Sequence, residues 1–302
     1  MNIKNTFHEF SRENWKKLST NAGTALTSAE LEKMKSIGDV IDLDDVVEVY
    51  LPLVKYIEQN RTNYLKNREK KNQFLDCPCT PRAPFIIGIA GSVAVGKTTV
   101  ARLLKELLSE THTVEMITTD GFLYPNEELA RRGIMSRKGF PESYDMRALM
   151  DFLSEVKLGR KAYAPTYSHE QYDVIENEKI VIDSPDILIV EGINVFQLPT
   201  GQHMFMSEFF DFNIYVDASV KNIEKWYVER FEALLNSETT SGPYLELAAQ
   251  PREKAIEHAY KVWQTVNLVN LLEYIEPTKP RADAIVHKGA GHFIDKILIK
   301  KY

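Results

Sequence analysis

A chain of 302 residues with 44% hydrophobic and 26% charged residues has the make-up of a soluble globular enzyme, with a core large enough to need no disulfides. Its formal charge of −6 argues against a general nucleic-acid surface. Cys77 and Cys79, one proline apart, complete no zinc set and read as reduced loop thiols. The first fifteen residues mix Lys4, His8, Glu9, Arg12 and Glu13 with apolar residues, which is no signal-peptide core. No apolar run approaches a membrane span, so a cytoplasmic protein is expected.

In chain order, residues 1–83 read as an N-terminal helical segment packed on a core formed by 84–302, the two making one integrated domain. Thr27 to Glu30 has capping-box spacing, and Leu31, Met34 and Ile37 follow at helical intervals. A second helix is expected from Asp42 through Tyr50, with a kink at Pro52. The Pro- and Cys-containing stretch 76–84 reads as a connector. Strands are expected at 85–90, 114–119, 187–190, 212–216 and 284–286, and helices at 97–110, 145–158, 219–236 and 252–273. That alternation predicts an α/β fold, a doubly wound and mostly parallel sheet with helices on both faces, with ligands bound beyond the carboxyl ends of the strands.

Gly91, Ser92, Val93, Ala94, Val95, Gly96, Lys97 and Thr98 fit the phosphate-loop pattern G-x-x-x-x-G-K-[ST], between an apolar strand and a helix-prone run that begins at Thr99. The glycines let the backbone close round an anion, and amides at the helix start point at phosphate oxygens. Lys97 is expected to bridge β- and γ-phosphates and the Thr98 hydroxyl to hold Mg²⁺. With no N/T-K-x-D signature for guanine, ATP is the expected nucleotide.

Two carboxylates stand at strand ends. Asp120 follows the strand at 114–119 and reads as the group that orients a substrate hydroxyl and takes its proton, as a group that helps order the metal, or as a turn cap. Glu191 closes the apolar strand at 187–190, as a Mg²⁺-binding acid or as a cap. The basic block Arg131, Arg132, Arg137 and Lys138 reads as a charged lid or as a solvated helix face. Lys288 to His292 reads as a turn near the nucleotide, because a dinucleotide fingerprint needs a third glycine. Val100, Leu103, Leu104 and Leu107 are expected either to pack on the sheet or to continue into a dimer face.

The strings GSVAVGKT at Gly91–Thr98, TTDGFL at Thr118–Leu123, RRGIMSRKGFPESYD at Arg131–Asp145, APTYSHEQYD at Ala164–Asp173 and ILIVEGINVFQ at Ile187–Gln197 resemble bacterial type I pantothenate kinases, from about residue 10 to the C-terminus. The resemblance implies transfer of the ATP γ-phosphate to pantothenate, giving 4′-phosphopantothenate at the first step of coenzyme A biosynthesis. It also implies a homodimer with coenzyme A as feedback inhibitor. Asp120 matches the family's base, Tyr167, His169, Tyr227 and Asn267 its pantothenate ligands, and Arg230 its phosphate clamp. Lys97, Arg102, His169 and Phe231 match positions that meet coenzyme A, and His292 a residue near the adenine. The better-known members carry Phe at the position of Leu234 and aromatics around Pro243–Ala249, where this chain has only Tyr244. That departure bears on feedback strength and on tolerance of extended substrates. Ser36–Val40 lacks the polar side chains expected to touch adenine, so no contact is assigned there. The alternatives are another small-molecule kinase, of the uridine kinase or phosphoribulokinase kind, and a nucleotide-binding regulator without catalysis.

Overall fold

The computed structural model describes residues 6–18, 26–77, 83–197, 206–237 and 243–302. A short strand β1 (Phe7–Ser11) leads through helix α1 (Arg12–Lys16) to α2 (Ser28–Met34) and a long helix α3 (43–74). Thr27 caps α2 with the reciprocal Glu30 bond its spacing predicted, and Asp42 caps α3 with Asp45 in the same way. At Val46–Tyr50 the helix α3 widens to a π turn just before Pro52. Proline brings no N–H and crowds the preceding turn, so a wide turn there relieves the clash without ending the helix.

The sheet follows. Strand β2 (Phe85–Gly91) runs into helix α4 (Lys97–Ser109), then β3 (Val114–Thr118), α5 (Asn126–Arg131), α6 (Met146–Lys157), β4 (Ala162–Ser168), β5 (Asp173–Ile182), β6 (Ile187–Glu191) and β7 (Phe212–Ala218). Helices α7 (Val220–Leu235), α8 (Pro243–Ala248) and α9 (252–275) precede β8 (Ala284–Lys288) and β9 (Ile294–Lys300). Seven strands lie in the order β1-β9-β8-β7-β2-β6-β3. The five from β8 to β3 are parallel, and β9 and β1 add antiparallel at one edge. All five strands expected from the sequence are the parallel ones. Strands β2 and β6 are buried on both faces and therefore read as unbroken apolar runs.

From β2 the chain moves outward to β3, and from β6 it crosses to the other side of β2 to form β7 and β8. The head of β2 therefore lies where the strand order reverses, the point at which open α/β sheets bind ligands. Helix α4 packs on β2, β6 and β3 through Val100, Leu103, Leu104 and Leu107, all buried. Helix α3 lies over the sheet with Tyr56 edge-on to Phe212 and Tyr64 edge-on to Phe85, at 5.8 and 5.5 Å between ring centres. One apolar cluster runs from Phe7 and Trp15 through Leu53 and Ile189 to Ile299.

Three parts differ from the sequence expectation. The N-terminal segment is not wholly helical, because Phe7–Ser11 pairs with β9. β9 itself went unforeseen. The β4–β5 hairpin, a separate two-stranded sheet, escaped because Pro165 interrupts one strand and the middle of the other, Glu176 to Lys179, is exposed and polar. Of the connector at 76–84, residues 78–82, including Cys79, lie outside the described residues; Cys77 is a free, exposed thiol.

Arg12 ties these layers together. Its guanidinium reaches Asp45 and, at 2.6 Å, Glu48 on α3, and the Ile294 carbonyl of β9 at 3.5 Å. Asp45 is buried, and burial raises its pKa above the ordinary carboxylate range. Truncating one partner of a buried pair strands the other charge. Arg12→Ala is expected to lower unfolding free energy by roughly 3–5 kcal/mol in urea denaturation.

Candidate active site

The turn from β2 into α4 is shaped by two glycines in the left-handed region. Gly91 has φ +148°, and a Cβ there would stand 2.5 Å from the Val216 carbonyl oxygen. Gly96, at φ +92°, has the Lys288 Nζ at 2.9 Å from the place of a Cβ. Only glycine fits this path without strain. The loop is a cradle of backbone amides opening on the start of a thirteen-residue helix. Inside it, the Lys97 Nζ donates to the Ser92 carbonyl at 2.7 Å. The Ser92 Oγ is buried and has no hydrogen-bond partner within the protein.

Burial lowers the Lys97 pKa, opposed by the carboxylates of Glu191 and then Asp120. Glu191, at the end of β6, is also buried. Desolvation raises its pKa, and the Lys97 charge works against that rise. Its Oε1 accepts the Thr98 hydroxyl at 3.1 Å. A hydroxyl and a carboxylate form the oxygen pair that suits a hard divalent cation. Among the described residues no group of three or more His, Cys, Asp or Glu converges. A cation here would therefore take its remaining ligands from phosphate and water.

Asp120 sits in the 3₁₀ turn Thr119–Phe122 beyond β3. Its N–H is capped by the Thr118 hydroxyl at 3.3 Å, and its Oδ1 accepts the Tyr144 hydroxyl at 3.1 Å. Tyr144 is held there by pairing of its segment with residues 122–124: the Asp145 amide donates to the Phe122 carbonyl and the Tyr124 amide to that of Ser143. The turn needs its glycines. A Cβ on Gly121 would lie 2.0 Å from the Pro165 carbonyl oxygen, and one on Gly192 would lie 1.8 Å from the Thr119 Oγ1.

The hairpin and α7 face this turn. Tyr167 lies edge-on to His169 at 5.2 Å and to Tyr172 at 6.4 Å. His169 is exposed at the hairpin turn, within electrostatic reach of Asp120, Arg230 and Arg102. On α7, Tyr227 packs at 5.6 Å on Trp263 with the Asn267 side chain beside its hydroxyl, and Arg230 follows three residues later. Both Trp263 and Asn267 belong to a π turn of α9. The sequence-derived set Lys97, Asp120, Tyr167, His169, Tyr227, Arg230 and Asn267 thus gathers at the carboxyl ends of β2, β3 and β6. Phe231 is buried with Ala255 and Ala259 alongside Tyr227 and tilts against Tyr244 at 5.8 Å. Arg102 is exposed on α4 and donates to the Met34 carbonyl at 3.3 Å.

The other flank of the loop is closed by the Lys288–His292 turn. The Lys288 Nζ donates to the Val95 carbonyl at 3.1 Å, and His292 stacks on Trp226 at 4.1 Å between ring centres. Burial, then the Lys288 charge, pushes the His292 pKa down to about 4, so the ring is neutral. Its Nδ1 is buried without a partner. His292, Lys288, Gly96 and Thr99 line a cleft together with Asp39 and Val40.

Comparison with known proteins decides the family. Residues 86–230 match the "Phosphoribulokinase / Uridine kinase family". The chain is 49% identical over 301 residues to a pantothenate kinase of Streptococcus pyogenes serotype M49 (strain NZ131), covering 98% of each chain. The pantothenate kinase of serotype M18 (strain MGAS8232) is 49% identical over 300 residues, again covering 98% of each. This chain belongs to the pantothenate kinase family. Among solved structures, the D-glycerate 3-kinase of Cryptococcus neoformans superposes with a TM-score of 0.54 at 12% identity, covering 80% of this chain and 97% of that one. The YGR205w protein gives 0.54 at 13%, covering 82% and 99%, so the fold is a shared P-loop kinase fold.

In this pantothenate kinase family member, sequence reasoning missed several residues that crowd the site. Tyr144 carries no spacing signal of its own, and Lys288 was read only as part of a turn near the nucleotide, without its contact to the Val95 carbonyl. Asp39, in the segment given no role, accepts the Thr99 hydroxyl, and the Ser36 amide donates to the same hydroxyl at 3.1 Å. The basic block divides. Arg131 and Arg132 pair with Glu128, and Arg137 pairs with Glu142, all at the surface. Lys138 instead turns inward, donating to Asn126 Oδ1 at 2.7 Å and to the Tyr172 carbonyl, with its Nζ 4.0 Å from the Tyr172 ring centre. Burial lowers its pKa to about 8, against the pull of Asp173 and Asp120. No helix among the described residues is long and apolar enough to cross a membrane.

Because backbone meets backbone at Gly121, Gly121→Ala cannot be relieved by a rotamer change. It is expected to lower stability by about 3 kcal/mol, read from the urea midpoint.

Proposed function

We propose that this protein transfers the γ-phosphate of ATP to the primary hydroxyl of pantothenate, giving 4′-phosphopantothenate. The observation that carries the reading is the convergence of a buried Lys97, Glu191 and a Tyr144-oriented Asp120 on one glycine-lined cradle, in a chain with full-length likeness to pantothenate kinases.

In this reading the amides of Gly91 to Thr98, with Thr99 at the helix start, cradle the triphosphate, and His292 lies beside the adenine. Asp39 and Lys288 fix that side of the loop. The Ser92 Oγ, orphaned within the protein, finds a partner in the nucleotide. Thr98 and Glu191 hold Mg²⁺, which when bound neutralises charge on the phosphates. Tyr227 and Asn267, side by side, form one wall of the pantothenate pocket; Tyr167 and His169 form the other. The Tyr144 hydroxyl uses up one oxygen of Asp120 and turns the other toward the substrate alcohol. Asp120 then orients that alcohol and accepts its proton as the bond to phosphorus forms. Phosphoryl transfer spreads charge over the moving group, so positioning and cationic stabilisation contribute most, and Lys97, Arg230 and Lys138 supply them.

The proposal extends to coenzyme A as a competitive inhibitor meeting Lys97, Arg102, His169 and Phe231, and to a cytoplasmic homodimer. With Tyr244 alone in the segment Pro243–Ala249, weak enclosure of a long pantetheine tail is expected.

A coupled assay with pantothenate, uridine and ribulose 5-phosphate tests the reading. Turnover of pantothenate alone is expected, and turnover of another acceptor without pantothenate contradicts it. Asp120→Asn is expected to lose about a hundredfold or more in kcat while calorimetry still detects ATP analogue binding. The pH profile gives a second check. Lys138 is useful only as a cation, and its charge is lost as pH rises through about 8. The profile of kcat/KM is expected to fall above that pH, and Lys138→Arg to keep the parent's low-pH value while holding it to higher pH.

A further inference from the structure

Lys138 is held in the site by the residue that follows it. Gly139 has φ +93°, which only glycine adopts freely, and its amide donates to the Ser143 hydroxyl at 2.9 Å. Its carbonyl points into the protein. There it accepts the Asn270 Nδ2 at 2.8 Å and lies 3.5 Å from the Asn194 Nδ2. Both asparagines are buried, Asn194 completely and Asn270 to within 5% of full burial. The next residue, Phe140, is buried as well and meets Tyr274 edge-on at 6.0 Å. Asn270 and Tyr274 are four residues apart on α9, so one stretch of that helix grips two consecutive residues of the Lys138 segment.

The same helix carries Asn267, three residues before Asn270, and Asn267 lies beside the Tyr227 hydroxyl. Two wide turns, Trp263–Asn267 and Leu271–Ile275, flank Asn270. Such turns are strained departures from the α-helix and concentrate at functional sites. Asn194 follows β6 and lies within hydrogen-bonding reach of Tyr144, the residue that donates to Asp120. The Gly139 carbonyl is therefore the meeting point of three elements: the Lys138 segment, the loop after Glu191, and the helix bearing Asn267.

We propose that Asn270 is a positioning residue for phosphoryl transfer, holding the Gly139 carbonyl so that the Lys138 ammonium is presented to the transferred group, and that α9 thereby couples the acceptor pocket to that cation. The inference rests on the kinase reading above. It assigns Asn270 no contact with substrate. Its effect is exerted through Lys138, because an unheld Gly139 carbonyl frees the left-handed turn that aims the lysine. A misplacement of the order of an ångström in such a group costs roughly ten- to a hundredfold in rate.

The test is a double-mutant cycle on kcat with pantothenate and ATP, using Asn270→Leu, Lys138→Ala and the pair. Asn270→Leu keeps the branch at Cγ, though in a larger side chain, and removes the donor. The expected result is a loss of about tenfold or more in kcat with Asn270→Leu, with KM for ATP unchanged. Added to Lys138→Ala, the same change is expected to cost less than about twofold further, since the lysine it aims is already gone. Losses that multiply in full, or a parental kcat in Asn270→Leu, would overturn the inference, because a structural asparagine would act whether or not Lys138 is present. If the leucine variant does not fold, Asn270→Asp, of equal size, is taken through the same cycle. A parent chain that phosphorylates no pantothenate would defeat the functional reading and this inference together. A working parent with multiplicative losses would defeat the inference alone.

Discussion

The site is organised around an ammonium that is kept dry. Lys97 is buried at the head of β2, its Nζ on the Ser92 carbonyl, with the buried carboxylate of Glu191 and the half-buried one of Asp120 as the nearest opposing charges. A buried cation is costly unless it is paired, and a buried carboxylate likewise. Lys97 and Glu191 offset one another only in part, since burial still dominates the shift of each. The amides at the start of α4 offer donors to an arriving anion, with Lys97 beside them. The Ser92 Oγ left without a partner points to the same unfinished arrangement.

That constraint explains the glycines. Gly91 and Gly96 let the chain fold back tightly enough to enclose Lys97. Gly121 and Gly192 let the ends of β3 and β6 approach each other and the hairpin, to within distances a Cβ would fill. Strain and close approach are thus concentrated where the acids must face the loop. The remaining layers hold this geometry from outside: Arg12 joins α3 to β9, and the hairpin braces Asn126 through the Asp173 carboxylate at 3.0 Å.

The sequence revealed the parts whose physics is local. The five parallel strands appear as runs rich in apolar residues, unbroken in β2 and β6 because those two are buried on both faces, and the phosphate loop appears as glycines at fixed spacing because backbone dihedrals demand them. Asp120 and Glu191 were found because each ends such a run. Tyr227 and Arg230 share a helix face at a spacing the sequence displays, yet their role came from family likeness alone. What stayed hidden depends on long-range contact. Tyr144 reaches Asp120 across 24 positions, and Asn270 reaches Gly139 across 131. The strand β1 is too short and too polar to betray itself, and Asp39 looks like any loop acid until α4 is brought against it. In the basic block, charge density alone suggested a lid or a solvated face; three of its members pair with glutamates at the surface, while Lys138 turns inward.

The central claim is spatial: the outermost phosphate, the acceptor oxygen and the Asp120 carboxylate meet at the mouth of the Lys97 loop. The most direct measurement is a crystal structure with a non-hydrolysable ATP analogue, Mg²⁺ and pantothenate. The account predicts the γ-phosphate on Lys97, with the primary hydroxyl of pantothenate within hydrogen-bonding distance of the Asp120 oxygen that Tyr144 leaves free. A nucleotide bound away from residues 91–98, or a pantothenate whose hydroxyl faces away from Asp120, would contradict it.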